Sequence, residues 1–277
     1  MLAWGSLFMY CDYHPHTPLC LHASGTPQEY VQSAVRAGLR EYGISDHAPM
    51  QEEPFDDWRM KQADMGAYLD WIREATELAA PHGLTVKAGL ECDWFPGIEP
   101  WTDHLRGLYE WDYLIGSVHY LGEKEEFDNP YKMDFWNTTD VEDAWEQYWK
   151  RFRDMAASGL FHILGHADLI KKFGFRPGGD LRRYYEPALE AISRSGACLE
   201  INTAGWYNKC AEQYPDELFL RLAAEMDIPL TISSDAHAPE NVGRDFDRAA
   251  ELASRAGFRQ LASFTAGKMR LFPLTGI

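Results

Sequence analysis

Basic residues are scarce in this chain: 26 lysines and arginines face 43 aspartates and glutamates, a formal charge of -17 at pH 7 over 277 residues. Such a surface repels nucleic-acid backbones and anionic membranes, so neither is expected as the main partner, and an anionic substrate would need local cations to attract it. Cysteine is sparse too. The five, at positions 11, 20, 92, 198 and 210, are odd in number and form no Cys-x-x-Cys spacing, which points away from a disulfide framework or structural zinc finger and towards a reducing cytoplasm. No apolar run approaches the ~20 residues of a membrane span, and Met1 to Met9 is too short and lacks the basic flank of a signal peptide. With 45% hydrophobic residues and no low-complexity tract, the chain can bury a full core, and a single domain over 1–277 is expected.

Histidine numbers only ten, yet three fall between His14 and His22. In extended backbone, residues i and i+2 share a face, so His14 and His16 present two imidazoles side by side, with Pro15 stiffening the backbone between them. A lone His-x-His is as often unliganded as liganded. The rest of the chain shifts that balance.

Short β-rich runs alternate with helical patterns, the signature of βα units around a parallel sheet. Seven strands are expected: Leu7 to Tyr13, Glu41 to Ser45, Leu84 to Leu90, Tyr113 to Val118, Phe161 to Leu164, Ala197 to Ile201 and Pro229 to Ser233. Thr26-Pro27-Gln28-Glu29 reads as a capped helix start, with Gly38 as its stop. Further helices are expected over about 63–80, 141–157, 181–193, 215–224 and 245–256. Residues 49–60 read as an acidic loop over the strand ends. Trp145, Tyr148, Trp149 and Phe152 recur at i, i+3, i+4 and i+7, a helix face turned to the core and not a cofactor box.

His14 and His16, His47, Glu91, His119, His166, and Asp235 with His237 all fall at or just past the carboxyl end of an expected strand. In a β/α barrel those ends share one rim, where active sites are built. His82, His104 and His162 lie elsewhere and read as structural. Imidazoles and carboxylates without a cysteine ligand suit zinc, iron or manganese and are too rich in nitrogen for calcium or magnesium. Glu91 could bridge two ions, and ions so paired can hold a hydroxide at neutral pH and clamp a phosphoryl or acyl group. Metal-assisted hydrolysis is the chemistry implied.

The chain also resembles a known family in a series of ordered motifs: DYHPHTPLCLHASG, GISDHAP, GLECDWFPG, GSVHYLG followed by FDNP, SGLFHILGHADLIKKFGFRP, EINTAG, SSDAHAPENVGRDFDRA and SFTAGKMRLFPL. They are similar to those of the PHP (polymerase and histidinol phosphatase) superfamily, and within it to the monofunctional histidinol-phosphate phosphatases. The resemblance implies a distorted seven-stranded (β/α)7 TIM-like barrel with a trinuclear site of divalent transition-metal ions (Zn, Fe or Mn) and hydrolysis of L-histidinol phosphate. Another small phosphorylated metabolite is the alternative substrate. It further implies one ion on His14, His16, Glu91 and Asp235, a second on Glu91, His119 and His166, and a third on His22, His47 and His237. His22 is assigned by the resemblance alone. Glu91, Asp235 and His237 are expected to act in the reaction itself. For the phosphate, a helix expected after the fifth strand offers Lys171, Lys172 and Arg176, of which Lys171 and Arg176 are the candidates. After EINTAG, Trp206-Tyr207-Asn208-Lys209 replaces the Leu-Arg-Lys run usual in the family, which makes Lys209 a candidate as well.

Overall fold

The structure is a computed structural model describing residues 10–122 and 125–274. Its strands are β1 (Cys11–Asp12), β2 (Glu41–Ile44), β3 (Thr85–Ala88), β4 (Glu91–Asp93), β5 (Ile115–Ser117), the paired β6 (Tyr120–Leu121) and β7 (Glu125–Glu126), β8 (Ile163–Leu164), β9 (Cys198–Asn202), β10 (Leu230–Ser233), β11 (Gln260–Thr265) and β12 (Lys268–Pro273). The helices are α1 (Pro27–Arg36), α2 (Met65–Ala79), α3 (Glu99–Arg106), α4 (Asp134–Thr138), α5 (Val141–Ser158), α6 (Arg182–Ser195), α7 (Glu217–Glu225) and α8 (Phe246–Ala256). The α1 start is a full capping box: Thr26 Oγ1 accepts from the Glu29 amide while the Glu29 carboxylate accepts from the Thr26 amide. On α5 the aromatic face Trp145, Tyr148, Trp149 and Phe152 is buried, as its spacing implies. None of the described helices is long and apolar enough to cross a membrane.

The fold is α/β with parallel sheets. β1, β2 and β3 form one parallel sheet, and β10, β9, β8, β5 and β4 form a second, also parallel. No closed ring of the seven strands expected from the sequence is found among the described residues. The expected strand Leu84–Leu90 stops at Ala88 and resumes at Glu91, and the interruption has a local cause. The Gly89 carbonyl is taken by the buried Tyr68 hydroxyl at 2.7 Å, and a Cβ on Gly89 would collide with the Tyr113 ring. The two sheets touch at both margins. Pro15 bridges to Ala236, with His16 N donating to Ala236 O at 2.9 Å, and His47 bridges to Glu91, with Ala48 N donating to Glu91 O at 2.8 Å. Residues 7–9 of the expected first strand lie outside the described residues. The antiparallel β11–β12 hairpin was not expected from the sequence at all.

The two ends of the strands differ in character. At the amino-terminal ends, Cys11, Ile115, Ile163 and Cys198 cluster with Tyr13, Tyr113, Ala262 and Phe264 as a compact apolar core beside the hairpin. Tyr13 meets Tyr113 at 5.0 Å and Phe264 at 5.6 Å between ring centroids. The main core packs helix residues such as Tyr30, Ile72, Trp145 and Leu220 together with strand residues such as Tyr42, Ile44, Leu199 and Ile232.

Candidate metal centre

The carboxyl ends carry histidines and carboxylates. His14, His119, His166 and Asp235 each stand two residues past the end of β1, β5, β8 and β10, and His47 stands three past β2. Glu91 opens β4. His166 and Asp235 are held at positive φ, 24° and 53°, a conformation that non-glycine residues adopt only when surrounding contacts impose it. His14, His16, His47, Glu91, His119 and His166 are buried. His237 stacks on His16 with ring centroids 4.0 Å apart, and His22 lies tilted against His237 at 4.5 Å.

Glu91 is the hub. Its Oε1 lies 2.9 Å from His166 Nε2, 3.2 Å from His14 Nε2 and 3.6 Å from His119 Nε2, while its Oε2 lies 2.7 Å from His47 Nδ1 and 3.7 Å from His16 Nε2. Asp235 Oδ1 is 3.2 Å from His16 Nε2. Close approach here is mostly not hydrogen bonding. Glu91 Oε2, His47 Nδ1, His14 Nε2, His16 Nε2 and His237 Nε2 are all buried without a partner of hydrogen-bond geometry. Each such orphan costs about 1–3 kcal/mol, and a cation between them would satisfy the whole set. Their atoms meet within 4.8 Å as His14/Glu91/His166, His14/His16/Asp235, His16/His47/Glu91 and His22/His47/His237. The residues present therefore fit divalent metal. Cys20 also approaches His16 and His237, and burial pushes its thiol up.

The charges suit cations as well. Burial raises the Glu91 carboxyl, but His14, His47 and His119 outweigh it and hold the group well below the usual carboxylate range. Asp235 is held down in the same way by His14 and His16. Burial lowers His16 and His119, yet the Asp235 and Asp46 contacts in one case and Asp93 in the other lift both to about 9. Burial also drives His47 and His237 well down. Cations entering the cluster would displace the protons that His16 and His119 hold, so binding is coupled to pH.

Sequence reasoning missed the residues behind the candidate ligands. His119 Nδ1 meets Asp93 Oδ1 at 2.7 Å, His16 Nδ1 meets Asp46 Oδ1 at 3.4 Å and His14 Nδ1 meets Glu200 Oε1 at 2.8 Å. Buried Arg59 donates to Asp93 at 2.8 Å and so ties the 49–60 loop to His119. Trp58, next to Arg59, stands edge-on to His47 at 4.6 Å and His119 at 5.5 Å. An acid beside or two residues from a ligand, as in Asp46-His47 and Glu91-Cys92-Asp93, was the available signal.

A cavity of about 590 Å³ opens over the cluster, lined by His22, His47, Glu91, His119, His166, Asp235 and His237 together with Trp58, Lys132, Lys172 and Asn208. The basic residues expected to grip phosphate are not in that lining. Lys171 has no solvent exposure, and its ammonium is committed to Asp168 (2.8 Å), the Gln213 carbonyl (2.8 Å) and Glu212 (3.3 Å). Arg176 pairs with Glu212 and lies 3.5 Å from Asp216, and Lys209 rests 5.9 Å from the Phe175 ring. The reason is local: Leu169–Lys171 is a single 3-10 turn and not the expected helix, and it sends Lys171 inward and Lys172 to the cavity. The histidines read as structural stay apart. His82 is exposed, His104 stacks on Trp101 and His162 accepts from the Leu114 amide.

An α/β fold whose strand ends gather histidines and carboxylates under an open cavity defines a protein built to hold metal at its strand ends. Comparison with known proteins makes this specific. The model of the PHP domain matches residues 12–204, and the chain belongs to that family. It is 40% identical over 260 residues to the probable histidinol-phosphatase of Deinococcus radiodurans, covering 94% of this chain and 98% of that one. To the histidinol-phosphatase of Bacillus subtilis it is 27% identical, covering 85% and 96%. The crystal structure of histidinol phosphate phosphatase from Lactococcus lactis, complexed with zinc, L-histidinol and phosphate, superposes with a TM-score of 0.78 at 21% identity, covering 94% of this chain and 98% of that one.

Proposed function

We propose that this chain is a metal-dependent phosphomonoesterase that hydrolyses L-histidinol phosphate to L-histidinol and phosphate, a step of histidine biosynthesis. The observation that carries the reading is the convergence of nine ligand-type side chains beneath one cavity, in a chain 40% identical over nearly its whole length to a probable histidinol-phosphatase. The reading includes three divalent transition ions (Zn, Fe or Mn). They are shared among His14, His16, Glu91 and Asp235; Glu91, His119 and His166; and His22, His47 and His237. Ions held there would supply a nucleophile at neutral pH and charge stabilisation for the transferring phosphoryl group. Glu91 offers each oxygen to a different set of histidines and so joins neighbouring positions. Trp58 covers His47 and His119 from one side and limits water there.

Lys172, 3.0 Å from Asp128 at the cavity wall, replaces Lys171 in this reading as the cation that attracts the phosphate, with Lys132 and Asn208 beside it. The reading also takes residues 1–277 as one cytoplasmic domain. It counts β3 and β4 as one interrupted strand, so that the parallel strands among the described residues number seven and the contacts at both sheet margins support a distorted (β/α)7 barrel. A second reading, a phosphatase for another small phosphorylated metabolite, is favoured by Trp206-Tyr207-Asn208-Lys209, where Leu-Arg-Lys was expected. The test is kcat/KM for histidinol phosphate against a panel of phosphomonoesters, before and after treatment with chelator. The proposal expects histidinol phosphate to lead the panel and activity to vanish on chelation. A different leading substrate would favour the second reading, and activity unaffected by chelator would overturn both.

A further inference from the structure

We propose that Glu200 and Asn202, neighbours on one face of β9, are positioning residues that brace three metal ligands from three different segments, His14, His166 and Asp235. The proposal rests on the reading that these ligands hold divalent ions. Neither residue lines the cavity, and both are fully buried, so they act through the ligands and not on substrate.

Three donors converge on one carboxylate. Glu200 Oε1 lies 2.8 Å from His14 Nδ1, and Oε2 accepts from the His166 backbone amide at 2.7 Å and from Asn202 Nδ2 at 3.1 Å. The same Asn202 nitrogen also donates to Asp235 Oδ2 at 3.1 Å, so its two N–H groups tie two carboxylates together. Asn202 is itself fixed: its side-chain oxygen accepts from Ala204 N at 3.0 Å, and its backbone pairs with Tyr214 in both directions.

Two consequences follow from this geometry. An ionised carboxylate only accepts, so His14 donates to it from Nδ1, which leaves Nε2, without a hydrogen-bond partner, facing Glu91 and the cluster as the ring atom a cation would take. The other consequence concerns backbone. His166 and Asp235 are the two ligands at positive φ, and each is held by one member of the pair, His166 through its amide and Asp235 through its carboxylate. The brace therefore sets a ring tautomer and supports two strained ligand positions.

Glu200→Gln tests it, because an amide puts a donor where only acceptors fit. However the amide turns, at least one of the His14, His166 and Asn202 donors then meets an N–H. Zinc is titrated into chelator-stripped parent and variant, and the melting temperature of each stripped protein is measured alongside. The expected result is a zinc dissociation constant raised about 10- to 100-fold, with the stripped proteins melting close together. Affinity within about twofold of the parent would overturn the proposal, whatever the melting temperatures. If Glu200→Gln does not fold, Asn202→Ala decides, since it keeps the carboxylate and cuts only the tie to Asp235. Zinc binding roughly tenfold weaker supports the brace, and binding within about twofold overturns it. A parent that binds no zinc would instead remove the metal reading on which the brace depends.

Discussion

The two ends of the parallel strands are made from residues only a few positions apart, yet they obey opposite rules. At the amino-terminal ends, Cys11, Ile115, Ile163 and Cys198 join Tyr13, Tyr113 and Phe264 in an apolar core. There the polar atoms find partners: the Tyr113 hydroxyl donates to the Tyr13 carbonyl at 2.6 Å, and the Lys87 ammonium reaches Thr265 at 2.6 Å. At the carboxyl ends, beginning one residue after Tyr13, one buried nitrogen or oxygen on each of His14, His16, His47, Glu91 and His237 has no hydrogen-bond partner. One end is complete as folded protein. The other carries buried orphaned polar groups that cations would satisfy, together with two candidate ligands at positive φ.

The contrast makes the largest effect a loss of stability without a loss of chemistry. Phe264→Ala should destabilise by about 3–5 kcal/mol, the usual cost of deleting a buried ring, while kcat/KM per folded molecule stays near that of the parent. Denaturant unfolding with parallel kinetics checks this, and a catalytic loss larger than the loss of folded protein would break the division between the two ends. The converse follows at the other end. Glu91→Gln keeps volume but removes the charge at the hub, and about 10²- to 10³-fold in kcat should be lost, comparable to removing a key charge-stabilising group. Glu99→Gln, on the first turn of α3 and outside the cavity lining, should leave the rate near parental. Similar rates for the two variants would reduce Glu91 to an ordinary strand-end carboxylate.

The neighbouring lysines sharpen the comparison within one turn. Lys172→Ala should cost about 10- to 150-fold in kcat/KM if it loses a charge-assisted bond to phosphate, at about 1.5–3 kcal/mol. Lys171→Ala leaves buried Asp168 without its ammonium partner and with the Asp216 amide as its remaining donor, and burial already pushes that carboxyl up to about 7 against the pull of Lys171. Its effect should therefore fall on stability, about 3–5 kcal/mol by unfolding, with little change in the rate of the folded fraction. If Lys171→Ala instead impairs turnover and Lys172→Ala does not, the cavity wall has been assigned to the wrong lysine.

These assignments show where the sequence was legible. The strand-end candidates could be read because histidine is rare here and, His22 apart, each candidate histidine follows a β-rich run, a pattern that survives errors of a residue or two in strand ends. Lys171 and Lys172 could not be separated, because which of two adjacent lysines faces inward depends on whether the backbone makes a helix or a single 3-10 turn. The split between β3 and β4 depends on Tyr68 and Tyr113, contributed by segments on either side of the break, and the β11–β12 hairpin gave no signal that was recognised. Asp46, Asp93 and Glu200 were missed for a similar reason. Their roles come from pairings made across the fold, such as Glu200 with His14, 186 positions away.

The comparison stands or falls on whether the carboxyl-end cluster holds metal. Elemental analysis of protein never exposed to chelator, read per chain, tests that most directly. The account predicts two to three divalent transition ions per chain, on the order of what nine ligand side chains can coordinate, together with a lower melting temperature once they are removed. Fewer than about one ion per chain, with a melting temperature indifferent to chelator, would contradict it.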